Sequence, residues 1–260
     1  MGAADAGKTT FIAWLANLGH ARGLRVAIVD ADIGQSEIGP PGTVGLGAVE
    51  RPLVRPRDAS LIALEFVGAT SPGKQPWRTA DATGKLATRA RSTFDRVLVD
   101  TSGFVAGGFA AAVKARKIAA TDPDLVVVIQ ADDESEHLVG ALAGRTRPRV
   151  VRLPAVVGAQ PRSQGARRQR RVESLARHFA HGTRRTVDAA DVRVISLRGE
   201  PVELASVAPH TMVGLENAHG ETLGVGLIEE IDTRRGTLSL QTTCAEERFA
   251  SVRVGEVLAG

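Results

Sequence analysis

Gly2-Ala-Ala-Asp-Ala-Gly-Lys-Thr9, followed by Thr10 and the run Phe11-Ile-Ala-Trp-Leu-Ala-Asn-Leu18, is the stretch whose reading decides the fold. A Gly-x4-Gly-Lys-Ser/Thr loop opening a helix surrounds phosphate oxygens with main-chain N–H groups. Its lysine reaches the β/γ-phosphates and its hydroxyl binds Mg²⁺. ATP and Mg²⁺ are therefore the expected cofactors. Gly2, Ala3, Ala4, Asp5, Ala6, Gly7, Lys8, Thr9 and Thr10 are the expected nucleotide contacts. Alone, such a motif often matches by accident, but here apolar residues at helical spacing follow it, with Gly19 or Gly23 to end the helix. Leu24 to Asp30 then reads as a buried strand. The loop belongs at the end of a buried parallel strand, yet only Met1 precedes Gly2, so the first strand is missing. The expectation is a start codon assigned too far downstream, with earlier codons for roughly five or six apolar, β-branched residues.

Working outward, strand and helix patterns alternate up to about residue 185. Strands are expected over 25–30, 61–67, 96–100, 125–129 and 150–153, with helices over 8–22, 79–92, 109–120, 134–143 and 165–180. This is an α/β class, a P-loop NTPase parallel sheet with helices on both faces. From about Asp191 short β-type runs with turn residues between them predict a small all-β domain, with strands over 193–197, 211–215, 223–231, 237–242 and 251–254. The expected division is 1–187 for the kinase-like domain, including an arginine-rich lid over about 160–182, and 188–260 for the β domain.

Composition excludes several classes. No apolar run reaches the ~18 residues of a membrane span, and no secretory leader opens the chain, so no membrane association and a cytoplasmic location are expected. The one cysteine, Cys244, permits no internal disulfide or cysteine-rich metal site. Of 33 basic residues only five are lysines. Twelve arginines against one acid, Glu173, fall between Arg145 and Arg185, a balance of +11 in a chain of net +4. Charge focused in this way suits a polyanion.

Three constellations carry chemistry. In Asp30-Ala-Asp32-Ile-Gly-Gln35 the two carboxylates point to opposite sides of a strand end and are suited to different tasks. One serves a Mg²⁺ shell and the other accepts a proton from an attacking hydroxyl; the alternative is that both cap a loop. Asp100-Thr-Ser-Gly103 ends an apolar run where such folds place an aspartate near Mg²⁺, or is a simple strand-to-turn junction. In the helix over 165–180, Val172, Leu175, Ala176 and Phe179 form an apolar stripe and Arg167, Arg170 and Arg171 cluster elsewhere. Arginines in a helix's first turns oppose its dipole, so a lid over phosphates explains them better than local stability does; a solvated face or RNA patch is the bland reading.

These stretches, with Asp30-Ala-Asp-Ile-Gly-Gln-Ser-Glu-Ile-Gly-Pro-Pro-Gly42, Phe66-Val-Gly-Ala-Thr-Ser-Pro72 and Val99-Asp-Thr-Ser-Gly-Phe-Val105, resemble the polynucleotide 5′-hydroxyl-kinases. That family includes the kinase subunit of the eukaryotic pre-mRNA cleavage complex, the pre-ribosomal-RNA kinases and archaeal relatives. The resemblance implies ATP- and Mg²⁺-dependent phosphorylation of the 5′-hydroxyl of RNA or DNA, with single-stranded or 5′-end nucleic acid as partner. It implies Lys8 and Thr9 for ATP and Mg²⁺, Asp32 as base, and Asp30 and Gln35 around the metal and attacking hydroxyl. Arg167 and Arg171 would clamp phosphates, with Arg170 on the substrate side and Trp77 stacking on a base. The rival functions are an ATPase or GTPase switch and a nucleic-acid-binding protein that keeps nucleotide without turnover. The chain lacks the late Asn/Thr-Lys-x-Asp string of guanine-selective switches and has Ala3 where partitioning ATPases carry a second lysine.

Overall fold

A computed structural model describes residues 1–155 and 163–258. Gln160 to Arg162, at the expected start of the lid, and the final two residues of the chain lie outside the described residues. Helix α1 (Lys8–Ala21) leads into β1 (Val26–Ala31), β2 (Thr43–Ala48), β3 (Ser60–Phe66), α2 (Pro76–Arg91), β4 (Arg96–Thr101), α3 (Gly107–Thr121), β5 (Leu125–Gln130), the short α4 (Glu136–Val139), β6 (Arg149–Pro154) and α5 (Gln164–Phe179). Six strands follow: β7 (Thr183–Asp188), β8 (Arg193–Ile195), β9 (Thr211–Glu216), β10 (Thr222–Asp232), β11 (Thr237–Thr242) and β12 (Ser251–Leu258).

The first sheet has the order β3-β2-β1-β4, and every residue of β1 is buried. Alternation along β1 sends Ala27, Val29 and Ala31 toward Ala82, Leu86, Ala87 and Ala90 of α2, while Val26 and Ile28 pack with Ala16 of α1. The sheet is thus covered on both faces, as its apolar run requires. β1 and β4 run parallel, with Asp30 beside Asp100 in register. β2 and β3 run antiparallel to their neighbours, a difference from the all-parallel expectation. The connection from β1 to β2 is a short turn through Pro40-Pro-Gly42, and without a crossover helix the chain can return only antiparallel.

β5 and β6 form a separate parallel pair, and β4 and β5 are not joined to one another. Met1 alone lies along β5: its amino group donates to Val127 O, and Ile129 N donates to Met1 O at 2.8 Å. Gly2 follows with φ 144°, and a Cβ there would lie 2.0 Å from Ile129 O. The interruption in the sheet therefore falls at the strand position behind the phosphate loop.

The second sheet, β7-β11-β10-β9-β12-β8, has its own core of Val213, Leu215, Ile228, Leu238, Leu240 and Val252. It begins at Thr183, since β7 pairs with β11 in continuous register. It is not separate from the first sheet: Phe66 packs with Leu175 and Phe179 of α5 and with Met212, Val225 and Val257. Arg78 of α2 donates to Phe66 O at 3.1 Å and reaches buried Glu216 of β9 at 3.5 Å, a carboxylate that Arg253 also holds at 2.6 Å. Loop 67–75 is thereby fixed between the two sheets. Among the described residues no helix is long and apolar enough to cross a membrane.

Candidate active site

The site forms where α1, the C-terminal ends of β1 and β4, and the start of α5 meet. The loop Gly2–Thr9 turns through left-handed backbone at Asp5 (φ 61°) and Gly7 (φ 92°), so successive N–H groups face one concavity at the α1 N-terminus. Lys8 Nζ donates to Ala3 O at 2.6 Å, lying across that loop, and Thr10 is exposed in the first turn of α1. Thr9 Oγ1 donates to Asp100 Oδ2 at 2.7 Å. The hydroxyl and the carboxylate put two oxygen atoms side by side at the foot of the cradle, a donor set whose chemistry fits Mg²⁺. Gly103 lies so close to the loop that a Cβ would sit 2.5 Å from Ala4 N. The Asp100–Gly103 turn packs directly on the cradle.

The two carboxylates of β1 separate in role. Asp32 is half-buried, and its Oδ1 accepts from Gly34 N and Gln35 N, both at 3.1 Å. Its Oδ2 has no hydrogen bond among the described residues. Asp30 is buried, and its Oδ2 accepts from Glu37 N at 2.6 Å, Ile38 N at 3.0 Å and Ser36 Oγ at 3.3 Å, while Oδ1 accepts from Asp32 N at 3.0 Å. Where the sequence expected a metal ligand, the oxygens of Asp30 close the 32–38 loop. Burial, then the charge of Asp100, pushes the Asp30 carboxyl up to about 7, against the N–H donors that pull it down. Asp100 is also raised, by burial first, with the Thr9 hydrogen bond opposing.

Two lysines that sequence reasoning missed lie behind these acids. Lys117 and Lys114 of α3 are 4% and 1% exposed. Lys117 Nζ donates to Ala31 O at 3.0 Å, between the two aspartates of β1. Lys114 Nζ donates to Ser102 O at 2.7 Å and Thr101 Oγ1 at 3.2 Å, just past Asp100. Burial lowers both, Lys117 to about 8, and the aspartate charges oppose the fall. Their signal was in the composition: of five lysines in an arginine-rich chain, three (Lys8, Lys114 and Lys117) converge here.

The arginine helix docks on the same place. Ser163 caps α5, accepting from Ala166 N at 3.2 Å. Arg167 Nη2 meets Asp5 Oδ2 of the phosphate loop at 3.3 Å, and its carbonyl accepts from Gln35 Nε2 at 3.2 Å. Arg170 meets Glu37 at 2.8 Å, and Arg57 holds the same carboxylate at 2.5 Å. Arg171 lines a small cavity with Gln35. Of the expected apolar stripe, Leu175 and Phe179 are buried; Val172 and Ala176 are exposed. Trp77 is half exposed, with the Arg116 guanidinium 5.5 Å from its ring centre. Phe104, in the loop that follows Asp100, and Phe109, in the first turn of α3, form an edge-on pair, centroids 6.3 Å apart, near Gly73.

The mRNA cleavage and polyadenylation factor CLP1 P-loop family matches residues 2–181, well over half of the sequence. The chain belongs to that family. A polyribonucleotide 5′-hydroxyl-kinase of Pyrococcus furiosus is 32% identical over 179 residues, 69% of this chain and 49% of its own length. A protein of the same name from Thermococcus kodakarensis is 37% identical over 142 residues, 55% of this chain and 40% of its own. The kinase Clp1 of Xenopus tropicalis is 32% identical over 192 residues, covering 68% and 42%. The chain therefore spans about half the length of the curated relatives it matches. A solved Clp1p–Pcf11p complex superposes with a TM-score of 0.79 at 13% identity, over 99% of this chain and 73% of that one, which establishes the shared fold.

Proposed function

We propose that this chain transfers the γ-phosphoryl group of ATP to the 5′-hydroxyl of an RNA or DNA strand. The carrying observation is the docking of Arg167 on both Asp5 of the phosphate loop and Gln35 beside Asp32, which brings arginine helix, cradle and acid to one place. The kinase names of its relatives support the same reading.

Main-chain N–H groups of Gly2–Thr9 and Lys8 hold the triphosphate of the donor. Thr9 and Asp100 would hold Mg²⁺, which when bound neutralises charge on the phosphates. Asp32, fixed through Oδ1 by two N–H donors, presents Oδ2 to the acceptor hydroxyl and takes its proton as the oxygen attacks phosphorus and ADP leaves. Arg167 exchanges Asp5 for a phosphate oxygen, and Arg171 completes the positive wall that excludes water. Phe104 and Phe109, after Asp100 in the chain, offer a base-stacking surface in addition to Trp77.

The assay is transfer of labelled γ-phosphate to a 5′-hydroxyl oligonucleotide with Mg²⁺, repeated with EDTA. Label in the oligonucleotide, lost on chelation, supports the reading. Steady ATP hydrolysis with no label in the oligonucleotide would replace it with a nucleotide switch.

A further inference from the structure

Phe66, at the end of β3, is where the first sheet enters the second. Its ring fills a notch left by two glycines: a Cβ at Gly214 of β9 would lie 2.5 Å from the ring, and one at Gly255 of β12 would lie 2.9 Å from it. Its amide N–H donates to Thr222 Oγ1 of β10 at 3.1 Å. The loop that follows is tied to β12 at both ends, by Glu256 N donating to Gly68 O at 2.6 Å and by the Lys74–Glu256 ion pair at 3.2 Å. Gly42 O takes the N–H groups of Val67 and Gly68, and Gly42 N donates to Ile33 O. Loop 67–75 then meets the turn after Asp32 with no space between them, since a Cβ at Gly34 would lie 2.6 Å from Thr70 O.

Arg78 holds this junction from the α2 side. Its guanidinium donates to Phe66 O at 3.1 Å, to Leu197 O at 3.4 Å and to Glu216 at 3.5 Å, one acceptor on each of three segments. Glu216 does not need it. Arg253 already donates to both carboxylate oxygens, at 2.6 and 2.8 Å. A second arginine there carries a cost, because burial and then the charge of Arg253 push the Arg78 guanidinium below its ordinary value. What it supplies is a rigid fork of donors that locks the end of β3 to the second sheet. We infer that Arg78 is a positioning residue, through which the C-terminal sheet holds loop 67–75 against the Asp32 turn and so fixes the direction of the Asp32 carboxylate. The inference rests on the kinase reading of Asp32. Gly34 N and Gln35 N hold Asp32 Oδ1, so a loop that retreats lets those donors and the carboxylate turn together. A displacement of about 1 Å is enough to cost up to ~10²-fold in rate. The phosphate loop is held by other contacts, Lys8 on Ala3 O and Thr9 on Asp100, so donor binding is spared.

The test compares wild type, Arg78→Met, Thr222→Val, Asp32→Asn and the double variant of Arg78→Met with Asp32→Asn. Thr222→Val cuts the other tie of Phe66 to the second sheet without leaving a buried charge, so it decides the matter if Arg78→Met does not fold. For transfer of labelled phosphate to a 5′-hydroxyl oligonucleotide, kcat falls about ten- to a hundredfold in Arg78→Met and less in Thr222→Val, while affinity for a non-hydrolysable ATP analogue stays within about twofold. Added to Asp32→Asn, Arg78→Met has no further effect, because the carboxylate it directs is already gone. Amide hydrogen exchange in segments 33–38 and 67–75 quickens in both Arg78→Met and Thr222→Val. Unchanged kcat and exchange in the folded variants, an equal fall in ATP-analogue affinity, or losses that multiply in the double variant overturn the inference. Should wild type hydrolyse ATP without labelling the oligonucleotide, the kinase reading falls. Faster exchange confined to those two segments would then still support the tie, and unchanged exchange would remove it as well.

Discussion

The two walls of the site are built differently. The wall formed by the phosphate loop and the ends of β1 and β4 is held by buried contacts: Thr9 on Asp100, Asp30 on three main-chain N–H groups, Lys117 and Lys114 on strand-end carbonyls. The wall formed by α5 is anchored by Leu175 and Phe179 at its far end. At its near end it rests on ion pairs with Asp5 and Glu37 whose arginines are about a third exposed. Low dielectric makes the first set strong and costly to break, while solvent screening makes the second weak and exchangeable. On the proposed reading, one wall places the reacting groups and the other trades a carboxylate for a phosphate. On the same proposed reading, Asp5 and Glu37 hold the places of the phosphates that the arginines meet.

Breaking the fixed wall carries the largest effect. Lys8→Ala is expected to lower phosphoryl transfer by about 10²–10³-fold, the usual loss for one preorganised charge donor, read from label transfer at saturating acceptor. Lys117→Met comes next. It leaves Ala31 O without its donor, at a cost of about 1–3 kcal/mol, and lets the Asp30–Asp32 strand end relax. Thermal unfolding should drop by several degrees and kcat should fall, with ATP affinity nearly unchanged. Equal loss of kcat and ATP affinity would mean that the lysine merely supports the fold.

Loosening the other wall is milder. Glu37→Gln frees Arg57 and Arg170, and because the pairs are partly solvated the stability change stays within about 1 kcal/mol. Its signature is a several-fold higher KM for the acceptor at unchanged kcat in steady-state kinetics. A collapse of kcat would place Glu37 in the fixed wall instead.

A further effect is read only in stability. Asp30 ionises near 7 folded and near 3.8 unfolded, so the folded state binds the extra proton between these values. Its contribution is present below about 4 and is lost as pH rises through 7. Urea titrations from pH 4 to 8 should show the wild-type-minus-Asp30→Asn difference declining over that window. A difference that grows with pH would show the N–H donors outweighing burial.

Much of this was legible in the sequence, for identifiable reasons. The loop, its helix, β1 and β4 announce themselves because burial on both faces demands apolar runs and the phosphates demand glycine. β2 escaped because Gly45 and Gly47 interrupt its β-type pattern; a Cβ at Gly45 would lie 2.1 Å from Ile38 O. β7 escaped because its arginines read as the end of the basic segment 145–185, although Thr183 to Asp188 pair in register with β11. Asp30 and Asp32 look equivalent in sequence; only the loop that folds back over Asp30 tells them apart. Lys114 and Lys117 read as ordinary polar positions of α3 until the helix turned them under the sheet ends.

The most direct measurement of the central claim is γ-phosphoryl transfer to a 5′-hydroxyl oligonucleotide by wild type and by Asp32→Asn, alongside ATP binding by both. The account requires transfer by wild type, a loss of about 10²–10⁴-fold in the variant, and equal ATP affinity in the two. Undiminished transfer by Asp32→Asn would contradict it, because the acid at the meeting of cradle and arginine helix would then have no part in the reaction.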